Sequence, residues 1–411
     1  MLGSIDWILL FATGFLAFIG LTTLSHQGSD YADKQAAFLV AGVVAALVFW
    51  RIPYQTWTNK YVLPAIYVIN IALLVAVMVK GHSAMGAQRW LSLGPITIQP
   101  SEIAKLVVIF TLSAWLAFKP VRRFRDCFYA IAIIVVPAVL VFKQPDLGTS
   151  LTFGAVYFGM LFWSGAGIMD LLVLASPLFS LVLNAVNLNW WYAYLCGLGG
   201  LLILFWRRRS WPIWLRLLMV AGVVALNLGM GEARPLLWGV LKEYQQKRLT
   251  SFVNPYADPR GSGYHILQSL IAIGSGGVIG FGLGKGNQSQ GAFIPERHTD
   301  FIFAVVGEEL GLRITAAVVF AYCLICMRAI MIAYRAREEP SGSLMAIGIM
   351  CMFLFHVFLN IGMTIGIMPV AGVPLPFLSY GGTALITDLV SIGLLMSIGS
   401  AHPAKKRKSW Q

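Results

Sequence analysis

Asp300 closes the run Pro295-Glu-Arg-His-Thr-Asp300 and leads directly into Phe301-Ile-Phe-Ala-Val-Val306. A carboxylate thus stands where a polar loop becomes an apolar run, with Glu296, Arg297 and His298 beside it. In a chain that otherwise keeps charge out of its apolar stretches, such a cluster marks chemistry. As an early helix residue, Asp300 would feel the positive end of the helix dipole, which favours the carboxylate, while burial at a membrane edge favours the neutral acid. That competition suits a general base, and a plain N-cap by Thr299 or Asp300 is the simpler alternative.

Other polar groups could serve the same chemistry. Gly86-Ala-Gln-Arg-Trp-Leu91 places Arg89 and Trp90 at an interface. In Gln99-Pro-Ser-Glu-Ile-Ala-Lys105, Pro100 and Ser101 are a helix start, and Glu102 and Lys105, three apart, share a face. They read either as a local ion pair or as a fixed cation for an anionic head group. In Gln144-Pro-Asp-Leu-Gly-Thr-Ser150, Asp146 either caps the next helix, holds a divalent cation or positions a lysine. Tyr244-Gln-Gln-Lys-Arg248 adds basic charge. The glycine-rich run 274–286 fails as a phosphate loop, because Gly286 stands where the magnesium-binding Ser/Thr would be, and reads as close backbone packing or a lid. Glu308 and Glu309 are expected to pair with Arg313 along one helix, and Asp388 must face protein or water. The segments 369–376 and 379–383 read as non-helical backbone lining a cavity.

The elements that must carry these residues are membrane helices. Of 411 residues 58% are hydrophobic and only 11% charged, which exceeds what a soluble domain needs. Runs of spanning length fall at 5–24, 36–51, 62–79, 103–118, 127–143, 149–165, 168–187, 190–206, 213–230, 301–326, 343–363 and 375–399. They predict an all-α polytopic integral membrane protein of about twelve helices, at around 20 apolar residues per span. The net charge of +13 is spread in short clusters between these runs, which is topology signal and not a nucleic-acid-binding stripe. Lys and Arg concentrate in 51–60, 119–125, 207–216, 328–337 and Lys405-Lys-Arg-Lys408, so these, with the turn near Gly165, are expected inside and the N-terminus in the cytoplasm. Loops 80–102, 231–300 and 366–382 then lie outside, where nucleotide substrates are scarce. Within 231–300, residues 265–273 suit a re-entrant or interfacial helix. The first run is expected to be a retained span and not a removed signal peptide. The five cysteines, Cys323 and Cys326 included, lack a metal-ligand pattern.

Taken together, Gln88-Arg-Trp-Leu91, Gln99 to Lys105, Gln144 to Ser150, Pro295-Glu-Arg-His-Thr-Asp-Phe-Ile-Phe-Ala304 and Gly372-Val-Pro-Leu-Pro-Phe-Leu-Ser-Tyr-Gly-Gly382 resemble, in that order, the SEDS glycosyltransferases, the elongation members more than the division or sporulation ones. The resemblance spans nearly the whole chain. It implies a peptidoglycan polymerase that acts on lipid II at the outer face of the bacterial cytoplasmic membrane. Asp300 matches the family's catalytic aspartate, proposed to deprotonate the acceptor sugar hydroxyl. Trp90, Glu102, Lys105 and Asp146 fall on functionally sensitive positions. A diphosphate leaving group calls for cations such as Lys105, Arg89 or Arg248, with or without a divalent metal (Mg or Mn), and Glu296, Arg297 and His298 adjoin the substrate. The implied partners are a class B penicillin-binding transpeptidase and the elongation machinery. The family has about ten helices, so an extra pair is expected around 168–212, and Asn254 stands where many relatives carry an acid. Two other readings stay open. A lipid II flippase would need functional acids near the midplane, such as Glu308, Glu309 and Asp388. Another lipid-linked glycan polymerase or ligase shares the outward-facing logic.

Overall fold

All twelve apolar runs coincide with helices, because backbone polar groups in hydrocarbon must find partners within their own segment. The computed structural model describes residues 5–84, 87–93, 96–206, 212–240, 246, 248, 251–252, 255–257, 263–291, 293–294 and 296–402. The basic clusters at 207–209 and 405–408, and the positions of Gly86, Tyr244, Asn254 and Pro295, lie outside the described residues.

The helices are α1 (Trp7–Ser25), α2 (Ser29–Arg51), α3 (Val62–Lys80), α4 (Pro100–Phe118), α5 (Phe124–Lys143), α6 (Leu147–Trp163), α7 (Ile168–Val186), α8 (Leu188–Trp206), α9 (Ile213–Glu232) and the short α10 (Arg234–Val240). They continue with α11 (Tyr264–Ser275), the four-residue α12 (Asn287–Gln290), α13 (Ile302–Arg335), α14 (Pro340–Thr364) and α15 (Gly382–Ala401). Among the described residues, 10 helices are long and apolar enough to cross a membrane, and α6 and α7 are shorter apolar helices. The last run proves shorter than expected. Residues 375–381 are not helical, and α15 begins only at Gly382.

Start signals in the sequence act as caps. Asp6 accepts from the Leu9 N–H at 3.2 Å, and Pro100 and Pro340 open α4 and α14, where a missing N–H costs nothing. The most buried helices are α4, α14 and α15. Gly393 of α15 lies on the backbone of α2, where an added Cβ would come within 2.3 Å of the Ala46 carbonyl oxygen. Small residues of this kind let membrane helices approach closely. The α7–α9 group has its own small core of Leu198, Leu202 and Val220. It is knotted by Ser180, Trp191 and Asn227: the Trp191 indole donates to Ser180 Oγ at 2.7 Å, which donates to the Asn227 carbonyl at 2.7 Å.

The loop between α3 and α4 holds a three-stranded antiparallel sheet that the sequence reading missed: β1 (His82–Ala84), β2 (Ala87–Leu93) and β3 (Ile96–Ile98). The signal was the Gly94-Pro95 dipeptide in the sequence, a turn-forming pair between two short stretches rich in β-branched and apolar residues.

The pairing expected for Glu308, Glu309 and Arg313 does not form. Gly311 has φ 71° and ψ −175°, so α13 breaks between the acids and the arginine, and the four- and five-residue helical spacings no longer bring the side chains together. Glu308 instead accepts from the Gln288 and Ser289 N–H groups at 2.7 and 2.9 Å, a charge at the first turn of α12, and Glu309 accepts from Ser289 Oγ at 3.0 Å. The glycine-rich run packs its backbone on this break. Phe281 and Gly282 donate to the carbonyls of Glu308 and Glu309, and Leu312 and Arg313 donate to those of Gly277 and Val278. Gly280 has φ +84°, and a Cβ there would meet the Glu309 carbonyl oxygen at 2.3 Å. Gly280→Ala is therefore expected to cost about 1–3 kcal/mol. Gly274→Ala, with nothing within 4 Å of its Cβ, should be neutral or slightly stabilising. Equal unfolding temperatures for the two variants in detergent would refute this account of the glycines.

Candidate active site

Residues 296–300 form a tight turn that delivers Asp300 to the start of α13. Glu296 opens it in the left-handed region at φ 50°, and its carbonyl accepts from the N–H groups of Thr299 and Phe301 at 3.1 and 3.3 Å. The turn is clamped from two sides. Asn360 of α14 donates through Nδ2 both to the Asp300 carbonyl, at 2.9 Å, and to the Val373 carbonyl, at 2.8 Å. From the non-helical segment before α15, Ser379 Oγ donates to the Thr299 carbonyl at 2.7 Å and the Tyr380 N–H to the His298 carbonyl at 2.8 Å. Gln35 of α2 in turn donates to the Ser379 carbonyl and accepts from the Gly381 N–H. Asp300 thus sits on backbone fixed by α14 and by the segment before α15, which α2 in turn holds.

The Asp300 carboxylate is partly buried, and that burial pushes it up to about 6 against the pull of the Arg248 guanidinium. Glu296 and Asp146 add to the rise, and Arg89 opposes it. Gly372, at φ +66°, leaves the space between base and cation open: a Cβ there would lie 3.4 Å from Arg248 Nη1 and 3.5 Å from Asp300 Oδ2. The His298 ring stacks on Tyr31 at 4.5 Å between centroids. Its own burial holds His298 below the usual histidine range, although Glu296, 3.9 Å away, pulls the other way. Arg297 is half-buried in the turn and bears on the site through its charge on His298.

Arg89 on β2 wraps the loop ahead of α6, donating to the carbonyls of Gln144 and Pro145, with Nη1 3.9 Å from Asp146 Oδ1. Asp146 is an N-cap, as one of its sequence readings held: it accepts from the Thr149 N–H at 3.2 Å and from Thr149 Oγ1 at 3.0 Å. It also accepts from Ser101 and Gln99. A cleft runs between Arg89 and Arg248, walled by Leu147, Leu151, Leu359 and Met368, so two guanidinium groups face an apolar trough. Trp90 follows Arg89 on the same strand, so its half-buried ring leaves the opposite face of the sheet.

Lys105 does not line this cleft. Its side chain is 1% exposed, with Nζ 2.8 Å from Glu102 Oε2 and 3.3 Å from His356 Nε2. Asp388, also buried, completes the group, and its Oδ1 has no hydrogen-bond partner among the described residues. The guanidinium groups that line this cleft are those of Arg89 and Arg248, while Glu102 and Lys105 form a buried pair on α4, close to Ser101, which donates to Asp146. His356, Asn360, Gly372 and Gln35 were not singled out from sequence. His356 and Asn360 are polar residues on an otherwise apolar helix, which was the available sign, whereas Gln35 follows Asp33 and Lys34 at the polar start of α2 and gave none.

A divalent ion was one role considered for this region. Among the described residues, no three His, Cys, Asp or Glu side chains converge as ligands, and the Asp146 oxygens are taken by its neighbours. This donor set does not fit a protein-held cation.

The fold and site define a polytopic helical membrane protein with a lifted carboxylate and two arginines at one edge of the bundle. The chain belongs to the FtsW/RodA/SpoVE family of cell cycle proteins, whose model matches residues 4–194 and 178–403. It is 38% identical over 400 residues to the peptidoglycan glycosyltransferase MrdB of Escherichia coli K12, covering 95% of this chain and 92% of that protein. It is 32% identical over 413 residues to the peptidoglycan glycosyltransferase RodA of Treponema pallidum, covering 94% and 93%. Among solved structures it is similar to a chain of a peptidoglycan synthase complex that coordinates polymerization and crosslinking (TM-score 0.72, 25% identity, 97% of this chain and 99% of that one). Its fold also matches the rod shape determining protein RodA of Thermus thermophilus (TM-score 0.63, 24% identity, 97% of each chain).

Proposed function

We propose that this chain is a peptidoglycan glycosyltransferase of the cytoplasmic membrane that polymerises lipid II at the outer face, with Asp300 as general base. The observation that carries the reading is Asp300 itself: a carboxylate lifted to about 6, held on clamped backbone, with Arg248 beside it. Such a group is ionised at neutral pH yet basic enough to take a proton. The acceptor sugar hydroxyl gives its proton to Asp300 as its oxygen bonds to the donor's anomeric carbon. The bond from that carbon to the lipid diphosphate breaks, and the diphosphate leaves with the electron pair. Arg248 and Arg89 supply fixed positive charge where the negative charge develops. The apolar wall between them suits the first part of the lipid tail. The curated relatives named as peptidoglycan glycosyltransferases support the activity, and the synthase complex supports a crosslinking partner of the class B penicillin-binding type within the elongation machinery. The clustering of Lys and Arg at the other ends of the helices supports the outward orientation. We read the α7–α8 segment as the pair added to the family's core.

The test is polymerisation of purified lipid II by the full chain with its transpeptidase partner, comparing wild type with Asp300→Ala. Glycan strands from the wild type alone are expected. Equal strands from both would end the general-base assignment, and transbilayer movement of lipid II with no strands from either would favour the transporter.

A further inference from the structure

At the basic end of the bundle, remote from Asp300, a cavity of about 440 Å³ opens between the last turns of α4 and α6 and the first turn of α14. Its size is that of a small-molecule site, in the range of roughly 300–1,000 Å³. Leu116, Phe162 and Leu344 form an apolar floor, and Trp163, Ser164 and Arg337 stand at the mouth. The Arg337 guanidinium is held in place by two rings, its carbon 4.2 Å from the Tyr334 centroid and 5.4 Å from that of Trp163. Trp163 is pinned in turn, its indole donating to Ser343 Oγ at 2.8 Å.

The charges around this mouth are mostly positive. Among the described residues Arg337 makes no ion pair. The nearest acids in sequence are Glu338, which is exposed, and Glu339, whose carboxylate is turned to Tyr54 and Gln55. The adjoining loop and the first turn of α5 contribute Lys119, Arg122, Arg123 and Arg125 against Asp126, and Asp126 is taken up by the N–H groups of Arg122 and Arg123. That loop is fixed to the cavity, because the Val121 N–H donates to Ser164 Oγ at 3.3 Å. The Ser164 hydroxyl proton has no acceptor among the described residues, so it remains a donor at the mouth.

An oriented guanidinium and a hydroxyl donor above an apolar floor, at the membrane edge where basic loops gather, match one ligand chemistry: a phosphate esterified to hydrocarbon. We propose that this cavity seats the headgroup of an anionic phospholipid, with Arg337 and Ser164 on the phosphate and Leu116, Phe162 and Leu344 against the first part of an acyl chain. The site is independent of the polymerase reading and of any substrate at Asp300.

Native mass spectrometry of the full chain in detergent, titrated with phosphatidylglycerol or phosphatidylcholine, tests it. The wild type is expected to retain one phosphatidylglycerol at least tenfold more tightly than phosphatidylcholine, and inorganic phosphate at millimolar concentration should not displace it. Arg337→Gln should weaken that adduct by about tenfold, the worth of one charge-assisted hydrogen-bonding group. Arg337→Lys should retain part of it. Arg313→Gln, an exposed arginine at the far end of α13, should leave it unchanged. Equal retention of the two lipids, an unchanged adduct in a folded Arg337→Gln protein, or displacement by inorganic phosphate would each overturn the proposal.

Discussion

Asp300→Asn is expected to lower the rate of glycan polymerisation by roughly two to four orders of magnitude while making the protein more stable above neutral pH. The loss of rate follows from removing the proton acceptor while keeping the shape. The gain in stability follows from the burial that lifts the carboxyl from 3.8 to about 6. A group whose folded-state pKa is raised binds its proton more tightly when folded. Its contribution is thus fully present below about pH 4 and is lost as pH rises through about 6. Above that window the ionised Asp300 costs the folded state up to about 3 kcal/mol, a cost that asparagine does not carry. The variant should therefore unfold at a higher temperature than wild type at pH 8 and at the same temperature at pH 4. The wild-type rate should climb tenfold per pH unit below about 6 and level off above it. A stability difference independent of pH, or a rate that is flat between pH 5 and 7, would show that Asp300 is not held as described.

The second large effect lies in the buried interior of the bundle. Lys105→Met removes the ammonium that pairs with Glu102 and lies beside His356 and Asp388 in the interior, leaving buried carboxylates without that counter-charge. Breaking a buried pair from one side costs about 3–5 kcal/mol, whereas replacing both members is often close to neutral. Lys105→Met should thus lower the unfolding temperature sharply, and Lys105→Met with Glu102→Gln should recover most of the loss. If the double variant is no more stable than the single one, the pair is not the unit described. If Lys105→Met unfolds at the wild-type temperature and only weakens lipid II binding, Lys105 reaches the substrate directly and its buried placement is wrong.

What could be read from sequence divides along physical lines. Helices were legible because a span needs an apolar run of fixed length, and twelve such runs stand out. Asp300, Arg89 and Asp146 were legible because charge at the edge of such runs is costly and therefore conspicuous. Partnerships were not. Glu308 and Glu309 meet Ser289 from 19 and 20 residues away and Lys105 meets His356 across 251, distances at which local spacing carries no information. Arg313 looked like their partner only under the assumption of an unbroken helix, and one glycine dihedral removed it. The sheet in the loop between α3 and α4 was hidden by its size, since two of its three strands have only three residues and hardly outlast a turn.

That same break at Gly311 has a mechanical side. A rigid rod of 34 residues from Ile302 to Arg335 would act as a lever, swinging Asp300 through a wide arc whenever its far end tilted in the bilayer. The bend instead splits it into a stub of about two turns and a long shaft. The stub is laced to residues 277–282 by backbone hydrogen bonds on both sides of the bend. With Leu312 and Arg313 bonded to that run as well, the joint is held on both sides, and the start of the helix beside Asp300 takes its position from residues 277–282 and not from the shaft alone.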